Sequence, residues 1–378
     1  MSTKRAASSR VELSPSERLQ RSDQLFSKLT KWEIRWRDRQ SFLQTRGYML
    51  RPRYRPGWNP SWRGSGLHPR LFEDSIALPF REHLIDATRI SDSQLVYIKR
   101  VKTGDNESRI AINLSAPSIR DEPDNHCVPI LDTFQDIDDD QISYIVMPFL
   151  RLISRPPCET VEDVVDLVDQ LLEGLVFLHK HGVAHRDCSY KNIMMDAALL
   201  FPQGHHPVRE NYLPDGLTPT SSLPRTGIPI KYYYVDFGIS VHIPPDQFPK
   251  LALGAFGRDQ EVPELSTEVP YDPFKVDIFI IGNVFRREFH DKISNIDFLV
   301  PLIQCMIRVD PALRPGATET LTQWKKIRSS ISGLHRQWRL RFRDESLVSK
   351  VISDTTCLAK GVVYVGRRVF EWTVSIQG

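Results

Sequence analysis

The sequence predicts an α+β fold in which a small, mostly β part precedes a larger, mostly helical part. Runs of β-type residues lie in the first half of the chain, at 84–90, 94–101 and 144–150. Helical periodicity appears in a short segment at 106–114 and dominates from residue 160 onward, at 160–180, 272–289, 296–308 and 317–343. With 378 residues, 40% of them hydrophobic, the chain can bury a sizeable core.

The first predicted element is a helix that begins after Ser14. Ser14 offers a capping hydroxyl, Pro15 suits the first helical turn, and Glu17 can return to the backbone amide of the cap. Apolar residues then recur at spacings that fit one helical face: Leu19, Leu25, Phe26, Leu29, Trp32, Trp36 and Leu43. We expect this single helix to end at Gly47.

The basic charge of the chain is concentrated at its N-terminus. Residues 1–72 hold 16 Lys and Arg against 5 Asp and Glu, a net charge of +11, whereas the remainder has a net charge of −8. In 48–70, arginines alternate with tyrosines and tryptophans among prolines and glycines, which predicts an extended arm rich in turns. Such a pattern also suits single-stranded nucleic acid. Because the rest of the chain is acidic, we expect the arm to pack on its own chain and expect no nucleic-acid partner.

A proline-rich stretch interrupts the helical part of the chain. The segment 193–231 holds six prolines and three glycines, which predicts an exposed insertion loop. His205 and His206 lie within it. Because adjacent histidines point in different directions and have no partner four residues on, we expect both at the surface and no metal there.

The cysteine pattern and the hydropathy indicate a cytoplasmic or nuclear protein with no membrane partner. The five cysteines are odd in number and form no CxxC pair, which fits neither a disulfide framework nor a zinc site: Cys127, Cys158, Cys188, Cys305 and Cys357. The longest apolar stretches fall well short of about 18 residues, the length that would suggest a transmembrane helix.

Two motifs carry the strongest chemical signal. The sequence His185-Arg-Asp187 is followed by Asn192, and Asp236-Phe-Gly238 comes after an aromatic β-type run. This pair, HRDxxxxN plus DFG, resembles the protein kinase family. The resemblance implies a bilobal fold with an N-lobe at 72–150 and a C-lobe at 151–332. It also implies ATP and magnesium as cofactors, with Asp187 accepting the hydroxyl proton and with Asn192 and Asp236 holding the metal.

The resemblance extends into the predicted N-lobe. Residues 96–99, Val-Tyr-Ile-Lys, look like the VAIK strand of the family, which would place Lys99 on the nucleotide's α- and β-phosphates. Its helix partner would be Glu107. Residues 144–150 resemble the hinge: Met147 would be the gatekeeper, and the backbones of Pro148 and Leu150 would face the adenine.

Further resemblances lie in the predicted C-lobe. Val262-Pro-Glu264 stands where the family has Ala-Pro-Glu, residues 277–282 match its DxFxxG helix, and Arg314 would be the buried partner of Glu264. The matched region covers about 72–332. The segment 1–71, the insertion and a C-terminal extension, 333–378, are additions. They resemble an expanded group of fungal proteins with a protein kinase domain, on stretches such as 47–54 (GYMLRPRY) and 125–131 (NHCVPIL).

Two departures concern the phosphate-binding groups. No glycine occurs between Gly66 and Gly104, where the family has its glycine-rich loop. Ser189 stands where Ser/Thr-directed kinases carry a lysine that contacts the γ-phosphate, and we expect Lys191 to take that role. This arrangement resembles some tyrosine-directed kinases, so the motif leaves the choice between Ser/Thr and Tyr acceptors open.

The segment after the DFG motif also departs from the family. Between Gly238 and Pro263 the only hydroxyl-bearing residue is Ser240. We therefore expect no phosphate-triggered ordering of this segment. Instead, Arg186 is predicted to pair with a standing negative charge, supplied by Asp246, Asp259 or Glu261.

Three functional hypotheses follow from these motifs. The first is an ATP-dependent protein kinase that transfers the γ-phosphate to a hydroxyl of a protein substrate, with Ser/Thr favoured. The second is a pseudokinase scaffold that binds nucleotide weakly or not at all, which the missing glycines favour. The third, a small-molecule phosphotransferase of aminoglycoside or choline type, would not be expected to retain Glu264 and Arg314.

Overall fold

The protein is described by a computed structural model over residues 14–78, 82–244 and 246–355. The chain divides into two compact units. The first contains the described parts of 1–101 together with 132–149 and 201–221, and the second contains 102–131, 150–200 and the described residues from 222 onward. The predicted α+β class is confirmed, since a five-stranded sheet in the first unit is followed by helices in the second.

The sheet of the first unit has the strand order β1-β2-β3-β5-β4. Its strands are β1 Tyr48–Met49, β2 Leu84–Arg89, β3 Leu95–Lys102, β4 Asp132–Gln135 and β5 Ile142–Pro148. β1 with β2, β2 with β3, and β4 with β5 pair antiparallel, and Leu84 lies opposite Lys99. Val96 and Ile98 are buried, as expected for alternate residues of a strand with one face in a core.

The N-terminal segment forms two helices, α1 Pro15–Phe26 and α2 Lys31–Thr45, so the prediction of one continuous helix is wrong. The capping box at Ser14 is present as predicted. A second one starts α2, where the Thr30 hydroxyl accepts the Glu33 amide at 3.3 Å and the Thr30 amide donates to the Glu33 carboxylate at 2.8 Å. Thr30 therefore restarts the helix although the apolar spacing continues across the break.

The arm packs on its own chain, as predicted. Trp36, Leu43, Tyr48, Leu50 and Tyr54 share one hydrophobic core with buried residues of the sheet. The neighbouring arginines are held by ion pairs and aromatic rings. Arg51 donates to Asp86 at 2.8 Å, Arg53 donates to Glu33 at 2.6 Å, and the Arg53 guanidinium lies 5.0 Å from the ring centroid of Trp58. These contacts neutralise part of the excess positive charge of the N-terminal segment.

The part of the insertion that belongs to the first unit is folded rather than exposed. His206 is fully buried, and His205 is 7% exposed, so their predicted surface placement is wrong. The Nδ1 atom of His206 accepts the backbone amides of Val208 and Arg209 at 3.1 and 3.0 Å, and Nε2 donates to Glu73 at 3.2 Å. Because both ring nitrogens form hydrogen bonds within the chain, the His206 side chain can be buried without an unsatisfied polar atom.

The second unit carries the remaining helices that we name: α3 Asn106–Leu114, α4 Val161–Lys180, α5 Pro273–Val284, α6 Val300–Met306, α7 Ala317–Ser330 and α8 Gly333–Arg336. The helix predicted at 106–114 is present with those bounds, and the one predicted at 160–180 starts one residue later. Three helices are shorter than predicted. α5 passes into a π-helical turn, Phe285–His290, and α7 ends at Ser330 rather than continuing to 343.

The strands of the second unit are short: β6 Arg151–Leu152, β7 Val183–Ala184, β8 Ile193–Met195, β9 Tyr232–Tyr234, β10 Val241–His242, β11 Ala252–Gly254 and β12 Ser266–Tyr271. They form a three-stranded sheet in the order β6-β8-β9 and two ribbons, β7 with β10 and β11 with β12. No helix within the described ranges has both the length and the hydropathy to cross a membrane.

The rest of the insertion is also partly buried, which corrects the prediction of an exposed loop over 193–231. Arg225 is 2% exposed and donates to the carbonyls of Ile153 at 2.8 Å and Pro156 at 2.6 Å, and to the Tyr232 hydroxyl at 2.9 Å. The prolines and glycines therefore shape a folded segment with its own buried anchor. Composition alone could not distinguish this from a solvated loop.

Candidate active site

A buried aspartate holds the loop that carries the HRD motif. Asp277 is fully buried in the apolar helix α5, and its carboxylate accepts the backbone amides of His185 at 2.7 Å and Arg186 at 2.6 Å. A buried carboxylate needs such donors, and here both come from the loop between β7 and β8. Sequence reasoning matched the DxFxxG motif but missed this role. The available signal was a single acidic residue within a mostly apolar helix.

His185 and Arg186 are fixed in different ways. The His185 ring is buried, lies 5.1 Å from the Phe237 ring, and places Nε2 3.1 Å from the Val235 carbonyl. Arg186 has a φ of +65°, a left-handed conformation that a non-glycine residue adopts only when its surroundings enforce it. The two bonds to Asp277 provide part of that constraint.

The prediction that Arg186 pairs with an acidic residue is wrong. Its guanidinium donates to the carbonyls of Leu253 at 2.8 Å and Ile239 at 3.2 Å, and to the Tyr271 hydroxyl at 2.6 Å. Carbonyl and hydroxyl oxygens therefore satisfy most of the cation's hydrogen-bonding capacity. This arrangement connects Arg186 to the hairpin of β11 and β12.

The acidic residues proposed as partners of Arg186 lie elsewhere in the segment. Asp246 is exposed. Asp259 is 4% exposed and accepts from Asn283 at 2.7 Å and from Arg287 at 3.2 Å. Glu261 forms ion pairs with Arg286 and Arg287, which lower the pKa of its carboxyl. Both acids thus fasten the end of the segment to the helix that begins with α5.

Asp187 and Asn192 are brought together as predicted by the motif. The Asn192 amide nitrogen donates to the Asp187 carboxylate at 2.8 Å and to the Asp187 backbone carbonyl at 2.9 Å. The other carboxylate oxygen, Oδ1, accepts the backbone amide of Arg258 at 2.8 Å. The side-chain oxygen of Asn192 accepts no hydrogen bond from the described residues. It is therefore available to a ligand.

Asp236 follows directly from the pairing of β8 with β9. Ile193 lies opposite Tyr234, and the Val235 amide donates to the Asn192 carbonyl at 3.0 Å, so Asp236 comes next to the Asp187–Asn192 loop. Its φ of +67° is again left-handed. A Cβ built on Gly238 would lie 3.4 Å from Asp236 Oδ1 and 3.7 Å from Glu107 Oε2, so both carboxylates border this glycine.

The donor chemistry of this group fits magnesium. Mg²⁺ prefers oxygen ligands and is commonly bound through one or two carboxylates plus phosphate oxygens. The Asn192 side-chain oxygen and the Asp236 carboxylate are the residues that would hold it. Cys188, also on this loop, is not a candidate nucleophile, because burial and the nearby Asp277 and Asp187 raise the pKa of its thiol.

Three predicted nucleotide-binding residues lie in the first unit. Lys99 is half-buried on β3, and Met147 and Pro148 are half-buried at the end of β5, the strand adjacent to β3. Tyr97 stacks on Phe149 at 4.5 Å. Leu150 is 4% exposed and belongs to the second unit. The roles of these residues, and the pairing of Lys99 with Glu107, stay predictions.

Lys191 is exposed, and its ammonium nitrogen lies 5.4 Å from the ring centroid of Tyr190. This position leaves its predicted contact with the γ-phosphate untested.

The buried ion pair predicted in the helical part is confirmed. Arg314 forms a bidentate ion pair with Glu264, with 2.8 Å between Nη2 and Oε2. Its side chain is fully buried, and the guanidinium carbon lies 4.6 Å from the centroid of the Phe279 ring.

Comparison with known proteins supports the resemblance at a distant level. The chain is 26% identical over 147 residues to the serine/threonine-protein kinase ppk8 of Schizosaccharomyces pombe. The similarity covers 38% of this chain and 22% of that protein, so only about a fifth of the length of the relative is matched. No protein-family model matches the chain.

Proposed function

We propose that this protein is an ATP- and magnesium-dependent protein kinase. The observation that carries the proposal is the bonded pair of Asp187 and Asn192, on a loop held by Asp277, with Asp236 placed beside it by the β8–β9 ladder. A base, an amide oxygen and a carboxylate in this order are what phosphoryl transfer requires, because its catalysis is mostly positioning and charge neutralisation.

Each residue has a defined task in this reaction. Asp187 accepts the proton of the acceptor hydroxyl while the hydroxyl oxygen forms a bond to the γ-phosphorus. The bond between the γ-phosphorus and the β–γ bridging oxygen breaks, and that oxygen leaves with the electron pair as part of ADP. Asn192 keeps the Asp187 carboxylate in one orientation through its 2.8 Å hydrogen bond. Asn192 and Asp236 would hold magnesium, which when bound would supply charge neutralisation at the phosphates. We assign Lys99, with Glu107 as its partner, and Lys191 to the phosphates. Met147 would be the gatekeeper, and the backbones of Pro148 and Leu150 would face the adenine.

The favoured substrate is a Ser or Thr hydroxyl of a protein. The Glu264–Arg314 pair supports a protein substrate, because in the family it braces the platform that receives one. The preference for Ser or Thr rests on the named relative, which is a serine/threonine-protein kinase. The bilobal arrangement, with lobes at 72–150 and 151–332, is part of the proposal. So is a cytoplasmic or nuclear location, which the four free cysteines of the described chain support.

A pseudokinase scaffold is the alternative, and one observation favours it. No glycine occurs between Gly66 and Gly104, so no glycine-rich loop can bring its backbone amides close to the phosphates. Side-chain and metal contacts can supply much of the transition-state stabilisation without that loop. This is why we favour a slow enzyme over a scaffold.

Thermal shift and phosphate transfer distinguish the two functions. Magnesium-ATP at about 100 times its dissociation constant should stabilise the wild-type chain by about 2.7 kcal/mol. Asp236→Asn should lose most of this shift, whereas Asp344→Asn, the same change at an exposed position, should keep it. Radiolabelled transfer to generic protein substrates should be seen with wild type and abolished by Asp187→Asn, which should keep the nucleotide-induced shift. A shift without any transfer would support a scaffold that binds nucleotide. Neither shift nor transfer would refute the kinase and leave a scaffold that binds no nucleotide.

A further inference from the structure

The position that carries a lysine in Ser/Thr-directed kinases is filled here by a small, buried side chain. Ser189 is 9% exposed, and its hydroxyl oxygen has no hydrogen-bond partner in the part of the chain that is described. Position 189 therefore supplies no cation to Asp187.

The segment after β11 lies close to the loop between β7 and β8, which carries Asp187. Gly257 has a φ of +143°, and a Cβ built on it would lie 3.2 Å from the Arg186 carbonyl oxygen and 3.9 Å from Asp187 Oδ1. Both the backbone conformation and the close approach favour glycine at this position. This close approach places the next residue, Arg258, beside the carboxylate of Asp187.

Arg258 contacts Asp187 twice. Its backbone amide donates to Oδ1 at 2.8 Å, and its side-chain Nε lies 3.6 Å from Oδ2, the oxygen that also accepts from Asn192. The Arg258 side chain is 56% exposed. Ion pairs with such exposed partners contribute little to folding stability, so stability alone is a poor explanation for this contact.

We propose that Arg258 is a positioning residue for Asp187. With one oxygen bonded to the Arg258 amide and the other between Asn192 and the guanidinium, the carboxylate is fixed in orientation before the acceptor hydroxyl arrives. This inference rests on the proposed kinase function. The role assigned to Lys191, on the phosphate, is a separate one.

Steady-state kinetics of Arg258→Gln, Arg258→Lys and a control test the proposal. We expect kcat of Arg258→Gln to fall by about 10- to 100-fold, since small misplacements of catalytic groups cost up to about 100-fold. KM for magnesium-ATP and the nucleotide-induced thermal shift should stay at wild-type values. Arg258→Lys keeps the charge and should recover most of kcat. Lys250→Gln makes the same charge change in the same segment, where the ammonium lies over Phe248 and Phe274, and should leave kcat unchanged.

Two results would overturn the inference. The first is wild-type kcat in Arg258→Gln, and the second is a loss in Arg258→Lys as large as in Arg258→Gln. A measurement without nucleotide tests the contact itself: Asp187→Ala should accelerate hydrogen exchange of the Arg258 amide, and unchanged exchange would refute the contact. If the wild-type chain transfers no phosphate, the proposed function fails while the exchange experiment still decides whether Arg258 is bonded to Asp187.

Discussion

Tyr271→Phe is the change that most directly tests how the segment from Gly238 to Tyr271 is ordered. The Tyr271 hydroxyl accepts from Arg186 at 2.6 Å and donates to the Gly254 carbonyl, and the residue is 5% exposed. A hydrogen bond to a charged group contributes about 1.5–3 kcal/mol and a neutral one about 0.5–1.5 kcal/mol. The substitution should therefore lower the free energy of local opening by about 2–4 kcal/mol.

Hydrogen exchange measures that loss directly. Because about 1.4 kcal/mol corresponds to a factor of ten, amide exchange in residues 251–257 should accelerate by about 30- to 700-fold. Tyr212→Phe removes a hydroxyl that has no hydrogen bond to the described residues, in the first unit, and should leave this peptide unchanged. Wild-type exchange rates in Tyr271→Phe would refute the reasoning. An obligatory phosphate within 239–262 of the active protein would equally contradict ordering without modification.

Three further changes address stability. Glu264→Gln leaves the buried guanidinium of Arg314 without its counterion and should lower the free energy of unfolding by about 3–5 kcal/mol in urea titrations, whereas exposed Glu268→Gln should change it by less than about 0.5 kcal/mol. Burial lowers the pKa of His126 to about 4 from 6.5, so the unfolded chain binds the proton first as the pH falls. About 3 kcal/mol of the free energy of unfolding should therefore be lost between pH 6.5 and pH 4. His126→Asn should flatten this pH dependence, and an unchanged slope would contradict the assignment. Gly174→Ala would place a Cβ 2.6 Å from His126 Cβ and should lower the melting midpoint through overpacking that costs about 1–3 kcal/mol; an unaltered midpoint would show that the packing relaxes.

Features with local chemical causes were predictable from the sequence. The capping box at Ser14 and the helix at 106–114 depend on side chains within one or two turns, and both are present. The Asp187–Asn192 pair is present for a similar reason, since five residues of one short loop set its geometry. The Glu264–Arg314 pair spans 50 residues and was predictable only through the family resemblance.

The remaining features depend on contacts that leave no local signal. The break between α1 and α2 lies within an uninterrupted apolar pattern, and only the Thr30 cap reveals it. His206 is buried because Glu73, 133 residues away, accepts from its ring. Arg186 is satisfied mainly by backbone carbonyls, which every residue possesses, so no pattern of side chains could have identified its partners.

The hydrophobic core shared by the N-terminal segment and the sheet sets a practical limit on how this protein can be shortened. A chain begun at residue 72, where the resemblance to kinases starts, would lack Trp36, Leu43 and Tyr54 from that core. It would also leave Asp86, which is 1% exposed, without the guanidinium of Arg51. Expression of residues 72–332 alone should therefore yield aggregated material, and failure to detect activity in such a fragment would say nothing about the intact protein.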